Sequence, residues 1–469
     1  MDKHRMEDPR MDDHRDHLST VAEDGHRIWV YPAAVQGVWQ RRRTWVAWSL
    51  LALLFAGPWL RIHGEPLLRL DIVHREFVIF GQAFFAQDTF LFAWTMVTSF
   101  VAIIVVTVVF GRVFCGWVCP QTIFLEFVFR PIERWIEGKP TAQRKRDLGP
   151  WTWDKAWRKG LKWGVFFGIS FAIANTFLAY IIGSEALLAI QLDSPREHVA
   201  GLTSLLAFTA VFFFVFAWMR EQVCTAVCPY GRLQGVLVDD DTVNVTYDDV
   251  RGEPRGHLAK GAAGAGQGDC VDCGLCVRVC PTGVDIRNGL QLECIHCTAC
   301  MDACDGIMDS VGKDRGLIRY ASIRSVAEGA PFSLTRRAWA YLAVMLVMMT
   351  GLSGFLATRQ PMEINVFRAA GFVPKVDDNG RVVNMYSFAL VNKTGEDLVV
   401  ALEVADRDYE LVSIGQDSLF LPSKGRQEGV FLMYAKDEPG PARSNVDVFV
   451  KHGASVLGRT RSSFTRPLH

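Results

Sequence analysis

Four apolar runs of 19 to 21 residues, each without a charged side chain, constrain the fold most strongly: Phe90–Phe110, Trp163–Gly183, Gly201–Met219 and Ala338–Ala357. A fifth run, Trp45–Leu60, is shorter and contains Gly57 and Pro58. A helix needs about 20 apolar residues to cross a hydrocarbon core of about 30 Å. Buried core helices are the alternative, but several charge-free runs of this length favour membrane spans. The sequence therefore predicts a multi-domain membrane protein with an α-helical bundle of five transmembrane helices.

The distribution of basic residues predicts the orientation of these spans. The 111–162 loop carries eleven Lys and Arg residues, whereas the 184–200 loop carries only Arg196. The polar arm 1–43 ends in Arg41, Arg42 and Arg43 and lacks the apolar core of a cleaved signal. Positive residues concentrate on the cytoplasmic side of bacterial inner membranes. We therefore expect a cytoplasmic N-terminus and, after an odd number of spans, a periplasmic C-terminal domain.

Eight of the twelve cysteines form two runs with the spacing C-x2-C-x2-C-x3-C: Cys270, Cys273, Cys276 and Cys280, then Cys294, Cys297, Cys300 and Cys304. This spacing is typical of bacterial ferredoxins that hold two 4Fe–4S clusters. In such proteins the fourth cysteine of each run binds the other cluster. The sequence therefore predicts one cluster on Cys270, Cys273, Cys276 and Cys304, and a second on Cys294, Cys297, Cys300 and Cys280.

Structural zinc and disulfide bonds are the alternatives for these eight cysteines. Zinc sites normally use C-x2-C pairs that are further apart, and disulfides are rare in the cytoplasm. The repeated run favours the cluster hypothesis.

The other four cysteines form a second, shorter repeat. Cys115 and Cys119 follow one predicted span, Cys224 and Cys228 follow another, and both pairs read C-x3-C-P. If the helix persists, residues at i and i+4 share one face. We expect the two pairs to present up to four thiols to a soft metal, since thiolates favour Cu(I), zinc or iron–sulfur clusters. Buried free cysteines that act as small hydrophobes are the alternative.

Residues 362–469 contain no cysteine and alternate strand-like runs, such as Val382–Val391 and Asp397–Val404, with turn sequences. Several short strands at this spacing predict an immunoglobulin-like β-sandwich. The predicted domains are an N-terminal arm (1–43), transmembrane helices 1–4 with their loops (44–264), an inserted ferredoxin-like domain with two 4Fe–4S clusters (265–310), a connector with helix 5 (311–357), and the sandwich (358–469).

Composition excludes a disordered chain and gives no support for a nucleic-acid-binding protein. Half the residues are hydrophobic and 21% are charged, which excludes a disordered chain. The 50 basic and 50 acidic residues cancel, so no global charge favours nucleic acid as a partner.

The order of these parts, with the runs Gly111–Thr122 (GRVFCGWVCPQT) and Val223–Gly231 (VCTAVCPYG), resembles the cytochrome c oxidase accessory protein family called CcoG, FixG or RdxA, which are membrane-bound polyferredoxins. The resemblance covers nearly the whole chain after the arm. It implies an oxidoreductase that reduces Cu(II) to Cu(I) for the copper site of cbb3-type oxidase. It also implies that Cys115, Cys119, Cys224 and Cys228 are the catalytic, copper-binding residues.

The implied partners are the lipid bilayer, oxidase assembly factors and a copper transporter or chaperone. The electron donor stays open between a ferredoxin, a flavoprotein and quinol, and the sequence does not decide between a monomer and a homo-oligomer. Two alternative functions also stay open. One is a quinol-oxidising membrane ferredoxin subunit of a respiratory chain, and the other is a non-enzymatic copper chaperone or redox sensor.

Overall fold

A computed structural model describes residues 19–22, 24–62, 65–71, 76–79, 82–84, 89–257, 266–358, 360, 362–377, 380–394, 396–406, 408–415, 418–423, 425–435, 441–453 and 455–467. The first eighteen residues of the predicted arm lie outside the described residues.

The described residues form α-helices at Val38–Ala56, Thr89–Phe110, Val113–Trp117, Pro120–Ile123, Arg130–Glu137, Pro140–Leu148, Trp153–Ile182, Ser184–Leu192, Val199–Phe214, Pro229–Leu237, Asp249–Gly252, Leu275–Arg278, Ala299–Val311, Ile323–Glu328 and Arg336–Ala357. Three π-helices, Phe124–Phe129, Val215–Met219 and Val223–Val227, and a 3-10 turn, Ile286–Asn288, complete the helical part.

The strands are β1 (Arg61–Ile62), β2 (Glu65–Pro66), β3 (Leu68–Asp71), β4 (Glu76–Ile79), β5 (Gln82–Phe84), β6 (Asn244–Tyr247), β7 (Ile318–Ala321), β8 (Met362–Arg368), β9 (Lys375–Val376), β10 (Val382–Asn392), β11 (Leu398–Val404), β12 (Tyr409–Ser413), β13 (Leu419–Leu421), β14 (Arg426–Ala435), β15 (Arg443–His452) and β16 (Ser455–Thr465).

Five helical segments in the described part are long and apolar enough to cross a membrane: Phe90–Phe110, Val113–Glu137, Trp153–Ile182, Val199–Met219 and Arg336–Ala357. Four of them contain the predicted runs. The predicted run Trp45–Leu60 is not among them, because its helix ends at Ala56 before Gly57 and Pro58 and carries Arg41, Arg42 and Arg43 in its first two turns. Its apolar part is therefore shorter than a bilayer requires.

Val113–Glu137 is an unpredicted candidate span, and it is not one regular helix. It breaks at Cys119, restarts at Pro120 and passes through the π-helix Phe124–Phe129. Proline cannot donate a helical hydrogen bond but is favourable in a first turn, so the chain restarts there. The segment also holds buried Arg130 and Glu133, which the charge-free runs lack.

The chain forms two compact units. One contains the described residues up to Ala56 together with Trp94–Ala179 and Glu185–Thr350; the other contains Gly57–Ala93, Tyr180–Ser184 and Gly351–His469. In the first unit, β6 and β7 pair in antiparallel register with Asn244 opposite Ala321. These strands flank the predicted 265–310 segment on both sides, and together they enclose a core with the cluster cysteines.

The second unit contains the immunoglobulin-like β-sandwich predicted for the C-terminal region. One sheet has the order β12-β14-β10-β8, with β9 paired to β10, and the other has the order β13-β11-β15-β16. Alternate residues of β10 point into a core that includes Tyr386, Phe431 and Phe464. The Tyr386 hydroxyl donates to the Ser463 carbonyl oxygen at 2.9 Å and so joins the two sheets.

Candidate metal centres

The first cysteine cavity gathers the thiols of Cys270, Cys273, Cys276 and Cys304. Cys270 and Cys273 precede the short helix Leu275–Arg278, and Cys276 lies within it. Cys304 comes from the helix Ala299–Val311. Cys273 is exposed, whereas Cys270 and Cys276 are buried. The grouping is the one that the crossed ligand assignment requires, and the ligation itself stays a prediction.

The second cavity gathers Cys280, Cys294, Cys297 and Cys300, and Cys276 of the first group also reaches it. Cys294 and Cys297 are buried. The two cavities therefore share a wall.

The backbone conformation repeats in the two loops. Asp272 and Gly274 on either side of Cys273 have positive φ values of 49° and 62°. His296 and Thr298 occupy the same positions around Cys297, with values of 53° and 61°. Non-glycine residues adopt this conformation only where the surrounding structure holds them, at a cost of about 1–3 kcal/mol. The shared conformation indicates that both loops wrap their cavities in the same way.

The donor set fits two iron–sulfur clusters better than single ions. Within the described ranges, no three His, Cys, Asp or Glu side chains converge closely enough to hold one metal ion. Four thiols spread around a cavity suit a polynuclear cluster, whereas structural zinc needs a tight tetrahedron. Burial raises the pKa of Cys294 to about 12 and that of Cys297 to about 11. These thiols would lose their protons when iron binds.

The two C-x3-C-P motifs have the same local geometry. In the first, the Cys119 N–H donates to the Phe114 carbonyl oxygen at 3.0 Å, and in the second, the Cys228 N–H donates to the Val223 carbonyl oxygen at 2.8 Å. Each second cysteine then has an extended ψ and precedes a proline that begins a new helix. The helix therefore does not persist to the second cysteine of either motif, because each i to i−5 turn ends it there, and the shared i, i+4 face does not form.

The four thiols of these motifs lie near one another. Burial raises the pKa of Cys224 to about 12, and the neighbouring thiols of Cys119 and Cys115 act in the same direction. Cys115 in turn interacts electrostatically with Cys119 and Cys228. We call these four residues the four-cysteine site. The structure thus brings together all four residues that the sequence singled out, although they do not converge on a single point.

The four-cysteine site packs directly against the second cavity. A Cβ atom at Gly116 would lie 2.5 Å from the Ile295 carbonyl oxygen and 2.8 Å from that of His296. Only glycine allows the two backbones this approach. Cys115, Cys224 and Cys297 also share one hydrophobic core. The second cavity and the four-cysteine site are therefore adjacent.

Two buried arginines at this junction were missed by the sequence analysis. Arg43 donates from Nε to the Gly116 carbonyl oxygen at 3.0 Å, and Arg112 donates from Nη1 to the Leu292 carbonyl oxygen. In the sequence, both arginines stand out only as positive charges that flank predicted membrane spans. The available signal was the position of Arg112, three residues before Cys115.

Several other basic residues of the first unit form a buried ion-pair network. Arg220 donates to Glu133 at 2.7 Å, and Lys162 pairs with the same carboxylate at 3.2 Å. Arg130 binds Glu221 at 3.2 Å and the carbonyl oxygen of Pro281, next to Cys280, at 3.0 Å. The pairing of Arg220 with Glu133 and Glu221 holds its pKa above its usual range against the effect of burial.

Three family models match the chain. Residues 219–323 match "4Fe-4S dicluster domain", residues 92–141 match "4Fe-4S binding domain", and residues 352–467 match "IG-like fold at C-terminal of FixG". The first match contains all eight cysteines of the two cavities. It supports two 4Fe–4S clusters, and the third confirms the immunoglobulin-like domain.

Similar curated proteins come from several bacteria. Nitrogen fixation protein FixG of Rhizobium meliloti is 33% identical over 80% of this chain and 79% of its own length. Protein RdxA of Cereibacter sphaeroides is 32% identical over 86% of this chain and 88% of its own length. Ferredoxin-type protein NapH of Haemophilus influenzae is 21% identical over 55% of this chain and 83% of its own. Together with the cysteine cavities and the sandwich, these relationships show that the chain belongs to the FixG/RdxA family and is an iron–sulfur electron-transfer protein.

Proposed function

We propose that this protein is a membrane-bound oxidoreductase that reduces Cu(II) to Cu(I) for the copper site of cbb3-type cytochrome oxidase. The observation that carries the proposal is the close contact of Gly116, in the first C-x3-C-P motif, with the backbone of Ile295 and His296. An electron held at the second cavity would have a short path to a metal at the four-cysteine site.

The reaction needs one electron for each Cu(II). Bound 4Fe–4S clusters supply one-electron carriers at the cavities. Because no three of the described side chains converge on one ion, a pair of thiols from Cys115, Cys119, Cys224 and Cys228 would bind each copper ion and stabilise the product, since soft thiolate ligands favour Cu(I). The electron comes from a reduced ferredoxin, a flavoprotein or a quinol. A quinol would reduce two Cu(II) ions and release two protons.

The proposed location is the bacterial inner membrane, with a cytoplasmic N-terminus and a periplasmic C-terminal domain. The basic residues that follow the candidate span Val113–Glu137, among them Arg144, Lys145 and Arg146, and the odd number of candidate spans in the described residues support this orientation. We propose oxidase assembly factors and a copper transporter or chaperone as partners, and the cysteine-free sandwich as the part that docks them. Nucleic acid is not a proposed partner.

The direct test follows electrons into copper. The purified full chain, with clusters reconstituted, is reduced without oxygen, freed of reductant and mixed with Cu(II). Cluster absorbance should bleach back to the oxidised spectrum while a Cu(I)-specific chelator reports one Cu(I) per electron. If the clusters stay reduced and no Cu(I) forms, the copper reductase proposal is wrong.

Replacing the thiols separates copper binding from cluster binding. Cys115→Ser with Cys228→Ser should abolish Cu(I) formation and leave the cluster spectrum unchanged. Thr225→Ser, a conservative change inside the second motif, is the matched control and should retain both.

One observation favours a different occupant for the four-cysteine site. The 92–141 match is described as a 4Fe–4S binding domain, yet its only cysteines are Cys115 and Cys119. A third cluster would give about twelve iron atoms per chain rather than about eight. Iron and sulfide analysis of the Cys115→Ser, Cys228→Ser variant distinguishes the two occupants, since loss of about four iron atoms would assign a cluster there.

A second candidate function is quinol oxidation. A cleft of about 1620 Å³ extends to Cys280 and is lined by aromatic residues of two candidate spans, including Trp163, Phe213 and Trp218. Its aromatic lining suits the apolar ring of a lipid-soluble quinol. Adding a water-soluble quinol to the oxidised protein should then bleach the clusters, and replacing Trp218 with Ala should slow that bleaching.

A further inference from the structure

Arg43 and Arg112 are buried cations without an acidic partner. Their side chains are only 3% and 4% exposed. In the part of the chain that the structure describes, neither forms an ion pair, and Nη2 of Arg43 and Nε of Arg112 have no hydrogen-bond partner. A buried charge that lacks a partner costs several kcal/mol, so such groups normally face an opposite charge.

Both guanidinium groups lie next to the second cavity. Arg112 donates to the carbonyl oxygen of Leu292, two residues before Cys294, and it interacts electrostatically with the Cys294 thiol. Arg43 interacts in the same way with the Cys297 thiol and donates to Gly116 at 3.0 Å. The two arginines therefore approach this cavity through different cysteines, and both also contact the C-x3-C-P motifs.

Other charged groups near the second cavity do not replace these cations. Glu293 is buried, but it forms no ion pair with Arg112 among the described residues. The His296 ring is buried as well, and its Nδ1 has no hydrogen-bond partner in the described part of the chain. Glu126 is paired with Arg130. Arg43 and Arg112 are thus the uncompensated charges at this site.

The first cavity has the opposite arrangement. Its neighbouring cation, Arg287, pairs with Asp285 at 2.6 Å and with Asp272 at 2.5 Å. Asp305 adds a further negative charge beside Cys304. Cys273 is exposed, so water screens this site as well. Three acidic side chains thus lie beside the first cavity, against the paired Arg287 and the exposed Arg278.

We propose that Arg43 and Arg112 are positioning residues that raise the reduction potential at the second cavity above that at the first. A cluster with four thiolate ligands is anionic and gains one more negative charge on reduction, so nearby positive charge favours the reduced form. An electron is then more stable beside the four-cysteine site than beside exposed Cys273. This inference depends on the two clusters and not on copper, so it holds or fails independently of the copper reductase proposal.

The test is a redox titration of the reconstituted full chain followed by electron paramagnetic resonance. Arg112→Gln removes the charge and keeps hydrogen-bonding capacity. We expect it to shift the equilibrium ratio of reduced to oxidised second cluster at least tenfold toward the oxidised form, which is about 59 mV for a one-electron couple. The first cluster, identified through the spectrum of a Cys273→Ser variant, should not shift.

Two matched variants separate charge from structure. Arg278→Gln removes an exposed cation that donates to the Cys273 carbonyl oxygen at 3.4 Å, and its screened charge should leave both clusters unchanged. Arg112→Lys keeps the positive charge and should retain most of the wild-type reduction potential of the second cluster.

Several outcomes would overturn the proposal. An unchanged second-cluster potential in Arg112→Gln, or an equal shift in Arg278→Gln, would exclude a specific role for the charge. If Arg112→Gln fails to incorporate the second cluster, the redox titration is done on Arg43→Gln, for which the same downward shift of the second-cluster potential is expected. Loss of that cluster in Arg112→Lys as well would show that the guanidinium hydrogen bonds hold the loop, and the tuning role would be wrong.

Discussion

The two C-x3-C-P motifs are nearly equivalent in backbone and differ in the arginine that precedes each. Arg112 lies three residues before Cys115, Arg220 lies four residues before Cys224, and both side chains are 4% exposed. Arg220 pairs with Glu133 at 2.7 Å and lies 3.8 Å from Glu221. The Arg112 guanidinium donates its hydrogen bond to the backbone carbonyl oxygen of Leu292, and it forms no ion pair among the described residues.

The difference shows how one repeated motif can acquire two roles. A buried arginine neutralised by carboxylates fixes the geometry of the helices that it joins, and it adds little field beyond them. A buried arginine without carboxylates leaves its field available to a neighbouring anion. Arg220 therefore anchors the helices around the second motif, whereas the charge of Arg112 stays available to the second cavity.

The largest expected effect comes from removing the acidic partner of Arg220. Glu133→Gln would leave Arg220 and Lys162 without a shared carboxylate in a buried site, which costs about 3–5 kcal/mol. Thermal unfolding of the detergent-solubilised protein should show a clear loss of stability. Asp154→Asn, which breaks an exposed pair with Arg158, is the control and should leave the melting temperature unchanged. Equal melting temperatures in both variants would contradict the anchoring role.

An intermediate effect is expected at Asp302, which positions Arg43. Its carboxylate accepts hydrogen bonds from the Trp39 N–H at 3.1 Å and the Gln40 N–H at 2.6 Å, at the start of the helix Val38–Ala56. Replacing such a capping residue by alanine costs about 1 kcal/mol. Asp302→Ala should lower stability by that amount and make the second cluster harder to reduce. Asp302→Asn, which retains an acceptor, should lose less. A loss of stability without a change in the reduction potential of the second cluster would show that Asp302 does not position Arg43.

The smallest effect tests whether the two backbones are equivalent. Pro120 and Pro229 each begin a helix, where proline limits the freedom of the unfolded chain. Replacing either with alanine should cost about 0.4–1 kcal/mol, and the two losses should be equal. Denaturant titration of the pair measures this. Unequal losses would show that the motifs differ in backbone as well as in their arginines.

The sequence predicted the parts of this protein that depend on local pattern. Four of the five apolar runs occur within candidate spans, and cysteine spacing predicted which thiols share each cavity. Strand alternation predicted the sandwich with its core around Tyr386.

What the sequence could not predict depends on long-range packing. The pairing of Arg220 with Glu133 joins residues 87 positions apart, and no local pattern distinguishes that arginine from Arg112. The i to i−5 turns before Cys119 and Cys228 resemble ordinary helix in sequence, since only the following proline marks the break. The candidate span Val113–Glu137 was hidden by charges that become paired only in the folded chain.

The contact at Gly116 leaves no space for a single methyl group between the two loops that meet there. With no side chain there, the loop carrying Cys115 lies against the carbonyl groups of Ile295 and His296. An alanine would act as a spacer that pushes the two loops apart. Electron tunnelling weakens steeply with distance. Gly116→Ala would therefore slow the proposed electron transfer between the second cavity and the four-cysteine site, even if every cysteine kept its metal. This glycine sets the distance between the two loops.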